Sequence, residues 1–222
     1  MRGHSMVGSV RRVLLVVGLA LAALASAPAV ALADTTIGQT GSTPSRCFTS
    51  QVSADTNYVV PGGGTITSFS FESTAANAGQ QLDFLVLRPA TPPQTTGDYA
   101  VVGKTGLVTL AGTGLETFPA NIPVQGGDIL GWWQAGTLEN CHRFIPTLVG
   151  GWIASGGGVG DPSVGATVSI PLSANDVDLN LAANLVPGPT SKADCKDGGW
   201  RDFGDMFKNQ GQCVTLFDDD EQ

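Results

Sequence analysis

The chain has 222 residues and a formal net charge of −8, and only 14% of its residues are charged. It holds 30 glycines, and Val, Thr, Ile, Leu and Phe recur along it, which is typical of a β-sandwich rather than a helix bundle. The negative charge repels phosphate backbones and argues against nucleic acid as a partner. The length suits one main domain with a small appendage.

Residues 1–33 have the three parts of a cleavable secretory signal peptide. A basic head containing Arg11 and Arg12 precedes an uncharged apolar stretch, and an Ala-Leu-Ala sequence then ends at Ala33. We expect cleavage after Ala33 and a secreted mature protein that begins at Asp34. Loss of the three leader arginines leaves the mature chain with a formal net charge of −11.

Two alternatives for this leader stay open at the level of sequence. An uncleaved anchor over residues 13–33 is long enough to span a bilayer, although the Pro28 break and the alanine-rich end favour a peptidase site. The paired arginines loosely fit a twin-arginine signal, whereas the strongly apolar stretch favours the general secretory route. After cleavage, we expect no membrane span.

Residues 34–186 are predicted to form an all-β domain. Short apolar segments with alternating side chains, such as residues 64–72, are separated by glycine and proline turns at intervals of roughly 8–12 residues. This pattern indicates a two-sheet antiparallel sandwich, jelly-roll-like in form. Pro119 and Pro123 lack backbone N–H donors, so residues 118–124 are predicted to be an edge strand or a bulged strand.

The composition changes after residue 186. Residues 187–191 begin with Pro-Gly-Pro and are predicted to be a stiff linker. Residues 192–222 are predicted to be a small Cys-bounded C-terminal module, with Ser191 and Asp194 forming a capping box at its first helix. Its few large apolar side chains cannot hold a core without a covalent link; they are Trp200, Phe203 and Phe207.

All four cysteines lie in the mature chain, and four cysteines allow three pairings. Because each bond would then close one module, we favour Cys47–Cys141 and Cys195–Cys213. The chain-entropy model gives the long first loop about 4–5 kcal/mol and the short second loop about 3 kcal/mol. Zinc ligation is the alternative, but no Cys-x-x-Cys pair is present, and an exported chain favours disulfides.

The segment KADCKDGGWRDFGDMFKNQGQCV (192–214) resembles a short C-terminal motif of many exported bacterial proteins, Cys-x-x-Gly-Gly-Trp followed by Phe-Lys-Asn-Gln-Gly-x-Cys. Upstream, LDFLVLRP (82–89), YAVVGKTG (99–106) and IPVQGGDILGWW (122–133), followed by Cys141, resemble secreted bacterial β-domains of uncharacterised function. The resemblance implies export and a β domain, and it implies no particular activity.

Most catalytic arrangements find little support in the sequence. The mature chain has one histidine, His142, beside a cysteine expected to be bonded, which disfavours a Ser-His-Asp triad. The Gly-Lys-Thr at residues 103–105 lacks the first glycine of a phosphate loop. A carbohydrate-active enzyme needs two carboxylates about 5–9.5 Å apart, and it remains the enzymatic alternative. Its candidate acids are Glu72, Asp83, Glu116 and Glu139.

No cofactor is predicted. Calcium needs six to eight oxygen ligands, and Asp176 and Asp178 with Asn175 are weak candidates. Exposed acids on strand edges are common, so we expect these side chains to be solvated.

Trp132 and Trp133 are the strongest functional hint, because adjacent residues of a strand point to opposite faces. One indole is expected to face the core and the other to face outward, where it could stack on a sugar. Trp152 is a third candidate. We therefore predict a non-enzymatic secreted module that binds an extracellular glycan or a cell-envelope component. The second alternative is a purely structural protein in which a loop or the C-terminal module covers the outer indole.

Overall fold

The structure is a computed structural model that describes residues 34–41, 44–90, 97–144, 151–154, 158–170, 172–174 and 177–217. The predicted signal peptide and its cleavage point lie outside these residues. In the described part, no helix has the length and apolar character needed to cross a membrane.

The fold prediction is confirmed: the chain is an all-β, antiparallel, jelly-roll-like sandwich followed by a disulfide-closed module. The β domain and the module belong to one compact unit. The strands are β1 (Thr35–Gln39), β2 (Arg46–Cys47), β3 (Gln51–Val59), β4 (Gly64–Ser73), β5 (Gln81–Pro89), β6 (Asp98–Lys104), β7 (Val108–Thr109), β8 (Gly114–Val124), β9 (Ile129–Gln134), β10 (Leu138–Glu139), β11 (His142–Phe144), β12 (Gly151–Ala154), β13 (Thr167–Ser169), β14 (Leu172–Ala174), β15 (Val177–Leu179) and β16 (Leu181–Pro187).

One sheet has four strands in the order β1-β16-β4-β8. The larger sheet has eight strands and follows the order β13-β6-β5-β9-β3-β12-β14, with β7 also paired to β5. Two ribbons, β2–β10 and β11–β15, complete the pairing. The predicted edge strand is confirmed as β8, and its pairing with β4 also contains a register shift. The prolines fit there because an edge strand leaves half of its N–H groups without a ladder partner.

The main core fills the space between the two sheets. Phe69 stacks on Phe84 across this space, with ring centroids 5.1 Å apart. A second apolar cluster covers the opposite face of the large sheet and includes Leu85, Tyr99 and Ile170. The large sheet is therefore buried on both faces around its central strands. Trp132 and Trp133 lie on one of these strands, β9.

The C-terminal module has its own small core. Helix α1 (Lys192–Cys195) begins with the predicted capping box between Ser191 and Asp194. A 3₁₀ helix (Gly199–Met206) and helix α2 (Gln210–Thr215) follow. Phe203 and Phe207 are buried beside the disulfide, whereas Trp200 is partly buried and packs against them.

Candidate functional site

The paired tryptophans are not an exposed platform. Trp132 is fully buried in the main core, where it meets the edge of Phe71. Trp133 points to the other face, is half-buried against the second cluster, and donates its indole N–H to the carbonyl of Val159 over 2.8 Å. Assigning Trp132 to a ligand site is therefore wrong, because a side chain without accessible surface cannot stack on a sugar.

The structural alternative describes this region better: the core covers one indole and a loop covers most of the other. Strand β9 lies between β5 and β3 in the large sheet, and both faces of that sheet are buried there. Trp152 lies on β12, but its side chain is outside the described residues.

Three of the four acids proposed for a glycosidase have separate partners for their carboxylates. Asp83 is buried and pairs with Lys104 over 2.7 Å, and Glu139 pairs with Arg46. Glu116 accepts hydrogen bonds from the backbone N–H groups of Ala111 and Gly112. Burial acts to raise the pKa of Glu116, but these hydrogen bonds outweigh it and hold the pKa below its ordinary value.

The carboxylates of Asp83, Glu116 and Glu139 thus each have a structural task. Glu72 contributes through its backbone, whose N–H donates to the side chain of Asn180 and whose carbonyl accepts from the same side chain. The arrangement of these four acids gives no support to a cooperating acid–base pair.

Asp178 is not the solvated residue that the sequence predicts, since it is only 4% exposed. It accepts a hydrogen bond from the side chain of Asn57, and the backbone N–H of Asn57 bonds in turn to Asp55. Asp55, which the sequence did not single out, is fully buried and also accepts from the N–H of Leu179. Asp176 lies outside the described residues.

Burial is the main cause that raises the pKa of Asp55 to about 7; the backbone hydrogen bonds from Leu179 and Asn57 act in the opposite direction, and the nearby charge of Asp178 acts with burial. These two acids tie β3 to β15, because Asp178 accepts from the Asn57 side chain and Asp55 accepts from the N–H of Leu179. Calcium requires six to eight oxygen ligands, and of the three candidates only Asp178 lies within the described residues.

Cys47, Cys141 and His142 have ligand-type atoms within 4.8 Å of one another. The two sulfurs are joined in a disulfide, so they are not the thiolates that zinc binds. The imidazole Nε2 of His142 lies 3.4 Å from the sulfur of Cys47. Burial lowers the pKa of His142 to about 4, so the imidazole is neutral at physiological pH.

A different residue on this end of the β domain is presented to solvent. Phe48 is 64% exposed and follows β2 directly. We call residues 46–50 the Phe48 turn. Its backbone includes Thr49 at φ +76°, a left-handed conformation that is a genuine outlier for a β-branched residue. Such strain costs about 1–3 kcal/mol and persists only where the surroundings enforce it.

The buried side chain of Gln134 helps to hold the backbone of the Phe48 turn in this strained conformation. Its Nε2 donates toward the carbonyls of Cys47 and Thr49, at 3.3 and 3.1 Å, and toward that of Gly136, at 2.8 Å. The same amide thus joins the Phe48 turn to the turn that follows β9. Its fixed position at the end of a central strand makes Gln134 a rigid anchor.

Covalent and backbone contacts hold the turn from the other side. Cys47 is bonded to Cys141, and β2 pairs with β10 through the Cys47–Leu138 and Arg46–Glu139 registers. Glu139 is in turn held by its carbonyl, which accepts from Asn77 over 2.6 Å. The result is an exposed aromatic ring on a backbone with little freedom to move.

Charged groups flank the ring. The guanidinium of Arg46 lies 5.8 Å from the ring centroid of Phe48 and pairs with Glu139. The Arg46 side chain is 54% exposed and that of Glu139 is 17% exposed, so both remain reachable from solvent. The local surface combines one aromatic face, donors and acceptors, with no net charge.

The sequence contains only weak signals for this site. Phe48 follows a cysteine in a Cys-Phe-Thr segment without an alternating pattern, which argues for a loop rather than for a buried strand. The Phe48–Glu139 neighbourhood joins two segments distant in sequence, and only the disulfide pairing hints that they meet.

Comparison with known proteins identifies no family. No family model matches the chain, and no curated protein matches it. Among solved structures, the chain is similar to the cysteine protease and lectin-like domains of a surface layer associated protein of Clostridium difficile, with a TM-score of 0.45 and 12% identity. The match covers 70% of this chain and 36% of that one, so the chain spans about a third of its length.

Proposed function

We propose that the protein is an extracellular binding module that holds a glycan at the Phe48 turn. The observation that carries this proposal is the exposure of Phe48 on a strained, multiply anchored backbone. Strain that the surroundings maintain is concentrated at functional sites. A backbone that is already ordered also loses little conformational entropy when a ligand binds, so more of the contact energy contributes to affinity.

The chemistry around the ring favours a neutral sugar. The face of an aromatic ring carries partial negative charge, which attracts the C–H groups on the flat face of a pyranose. Arg46 supplies hydrogen-bond donors and Glu139 supplies acceptors, which match the vicinal hydroxyls of a sugar. Because the Glu139 carboxylate is itself accessible beside Arg46, it would repel an anionic ligand and the site offers no preference for one.

The size of the site supports a sugar more than a protein partner. A stable protein interface covers about 800 Å² on each partner and usually centres on several buried aromatic or arginine residues. The Phe48 turn offers one aromatic ring and one ion pair, which is enough for a single sugar ring. A cell-envelope polysaccharide would present such rings repeatedly.

Extracellular placement is consistent with the two disulfides. The signal-peptide features of residues 1–33 and the resemblance of residues 192–214 to a motif of exported bacterial proteins support the same placement.

A glycan array probed with fluorescently labelled protein (residues 34–222) tests the proposal. We expect binding to neutral glycans and a loss of at least tenfold in affinity for Phe48→Ala, equivalent to about 1.4 kcal/mol. Leu115→Ala is the matched control, because Leu115 is 60% exposed and lies on β8 of the four-stranded sheet rather than in the β2–β10 ribbon. An array without bound glycans, or equal binding by Phe48→Ala, would contradict the proposal.

A further inference from the structure

A second concave site lies where the C-terminal module meets the β domain. It is a pocket of about 600 Å³, within the range of about 300–1,000 Å³ that is typical of small-molecule sites. We call it the seam pocket. Its apolar walls come from both parts of the chain, and its main lining side chains are Val102, Pro123, Pro189, Met206, Phe207 and Leu216.

The module supplies a large share of these walls. Met206 and Phe207 come from the end of the 3₁₀ helix, and Leu216 follows α2 with 57% of its surface exposed. The linker fixes the module at this place, because the N–H of Gly188 donates to the carbonyl of Gly63 over 2.9 Å. Interfaces between structural units are preferred positions for ligand pockets.

Arg88 adds one oriented polar group to the seam pocket. Its Nε and Nη2 bond to the two carboxylate oxygens of Asp128, at 2.7 and 2.9 Å, and Asp128 is 1% exposed. These two hydrogen bonds fix the orientation of the guanidinium plane. The Nη1 atom takes no part in either bond. The Arg88 side chain is 40% exposed, so a ligand can reach it from the pocket.

We propose that the seam pocket binds a small amphipathic molecule that has an apolar chain and a carboxylate headgroup. The apolar walls take the chain, and Arg88 donates to the headgroup from the edge that Asp128 does not occupy. Arginine suits this role because its planar donors match a carboxylate. The site is separate from the Phe48 turn and does not depend on glycan binding.

Calorimetric titration of residues 34–222 with octanoate and with 1-octanol, both below their aggregation limits, tests the proposal. We expect octanoate to bind at least tenfold more tightly than 1-octanol. Leu216→Ala should weaken both ligands about threefold, whereas the control Leu115→Ala, which alters an equally exposed leucine away from the pocket, should change neither.

The double variant Arg88→Gln/Asp128→Asn tests the headgroup contact without leaving a buried charge unpaired. We expect its preference for octanoate over 1-octanol to fall to within twofold. Chemical-shift changes at the Met206 methyl group of the unmodified protein give a readout that needs no variant. Absence of saturable octanoate binding, a Met206 signal that does not move, or an unchanged preference in the double variant would overturn the proposal.

Discussion

The guanidinium of Arg46 lies 5.8 Å from the ring centroid of Phe48 and is paired at the same time with Glu139. An exposed arginine over an exposed ring gains about 0.5–1 kcal/mol, too little to immobilise both side chains alone. The backbone beneath them supplies the remaining order, through Gln134 and the Cys47–Cys141 bond.

Replacing Gln134 by methionine keeps the side-chain size and removes its donors. Carbonyls of the Phe48 turn and of Gly136 then lose a buried partner, which costs about 1–3 kcal/mol. We expect urea unfolding to show a loss of about 2 kcal/mol. Gln81→Met, which changes an exposed glutamine on β5, should change the free energy of unfolding by less than about 0.5 kcal/mol.

Thr49→Gly should stabilise the protein, because glycine adopts a positive φ without steric cost. We expect a gain of about 0.5–1 kcal/mol in the free energy of unfolding, after the larger chain entropy of glycine is subtracted. Thr36 lies on β1 and has no positive φ. Thr36→Gly should therefore lower the free energy of unfolding by about 0.5–1 kcal/mol. If both variants lose stability to the same extent, residue 49 is not strained.

His142 should titrate far below an ordinary histidine. Burial lowers its pKa to about 4, against about 6.5 for an exposed imidazole. Protein consisting of residues 34–222 contains this histidine alone, so its imidazole signals in a proton–carbon NMR titration are unambiguous. A midpoint near pH 6.5 would show that solvent reaches the ring and that the packing beside the disulfide is looser than described.

Asp55 should make the protein less stable as the pH rises. Burial raises its pKa to about 7 in the folded state, against about 3.9 in an unfolded chain. The native state therefore holds the proton more tightly, and this contribution is complete below pH 4 and lost as the pH approaches 7. The shift corresponds to roughly 4 kcal/mol.

Asp55→Asn removes that titration. Comparing the two proteins by urea unfolding between pH 4 and pH 8 cancels the contributions of other groups. We expect the free energy of the unmodified protein to fall relative to that of the variant over this interval. Parallel pH profiles would mean that Asp55 is ionised in the native state throughout.

The architecture follows from sequence patterns because period-two alternation and turn residues act locally. The edge position of β8 is a clear example, since Pro119 and Pro123 restrict where that strand can pair. The two disulfides follow from the division into modules, because each bond closes one of them.

The site was less predictable, because burial on the second face of a sheet depends on distant segments. Alternation correctly places Trp132 and Trp133 on opposite faces, but it does not reveal that Val159 covers the outer one. Phe48 presents the opposite case. Its exposure depends on the positive φ of Thr49 and on bonds from Gln134, and neither has a local sequence pattern.

A proton–nitrogen NMR titration of residues 34–222 with the neutral glycan that binds most tightly on the array tests the Phe48 site most directly. We predict that shift changes concentrate in the Phe48 turn and around Glu139, that the Phe48 ring protons move, and that Phe48→Ala abolishes the response. Changes centred on Trp133, or a full response in Phe48→Ala, would contradict this prediction.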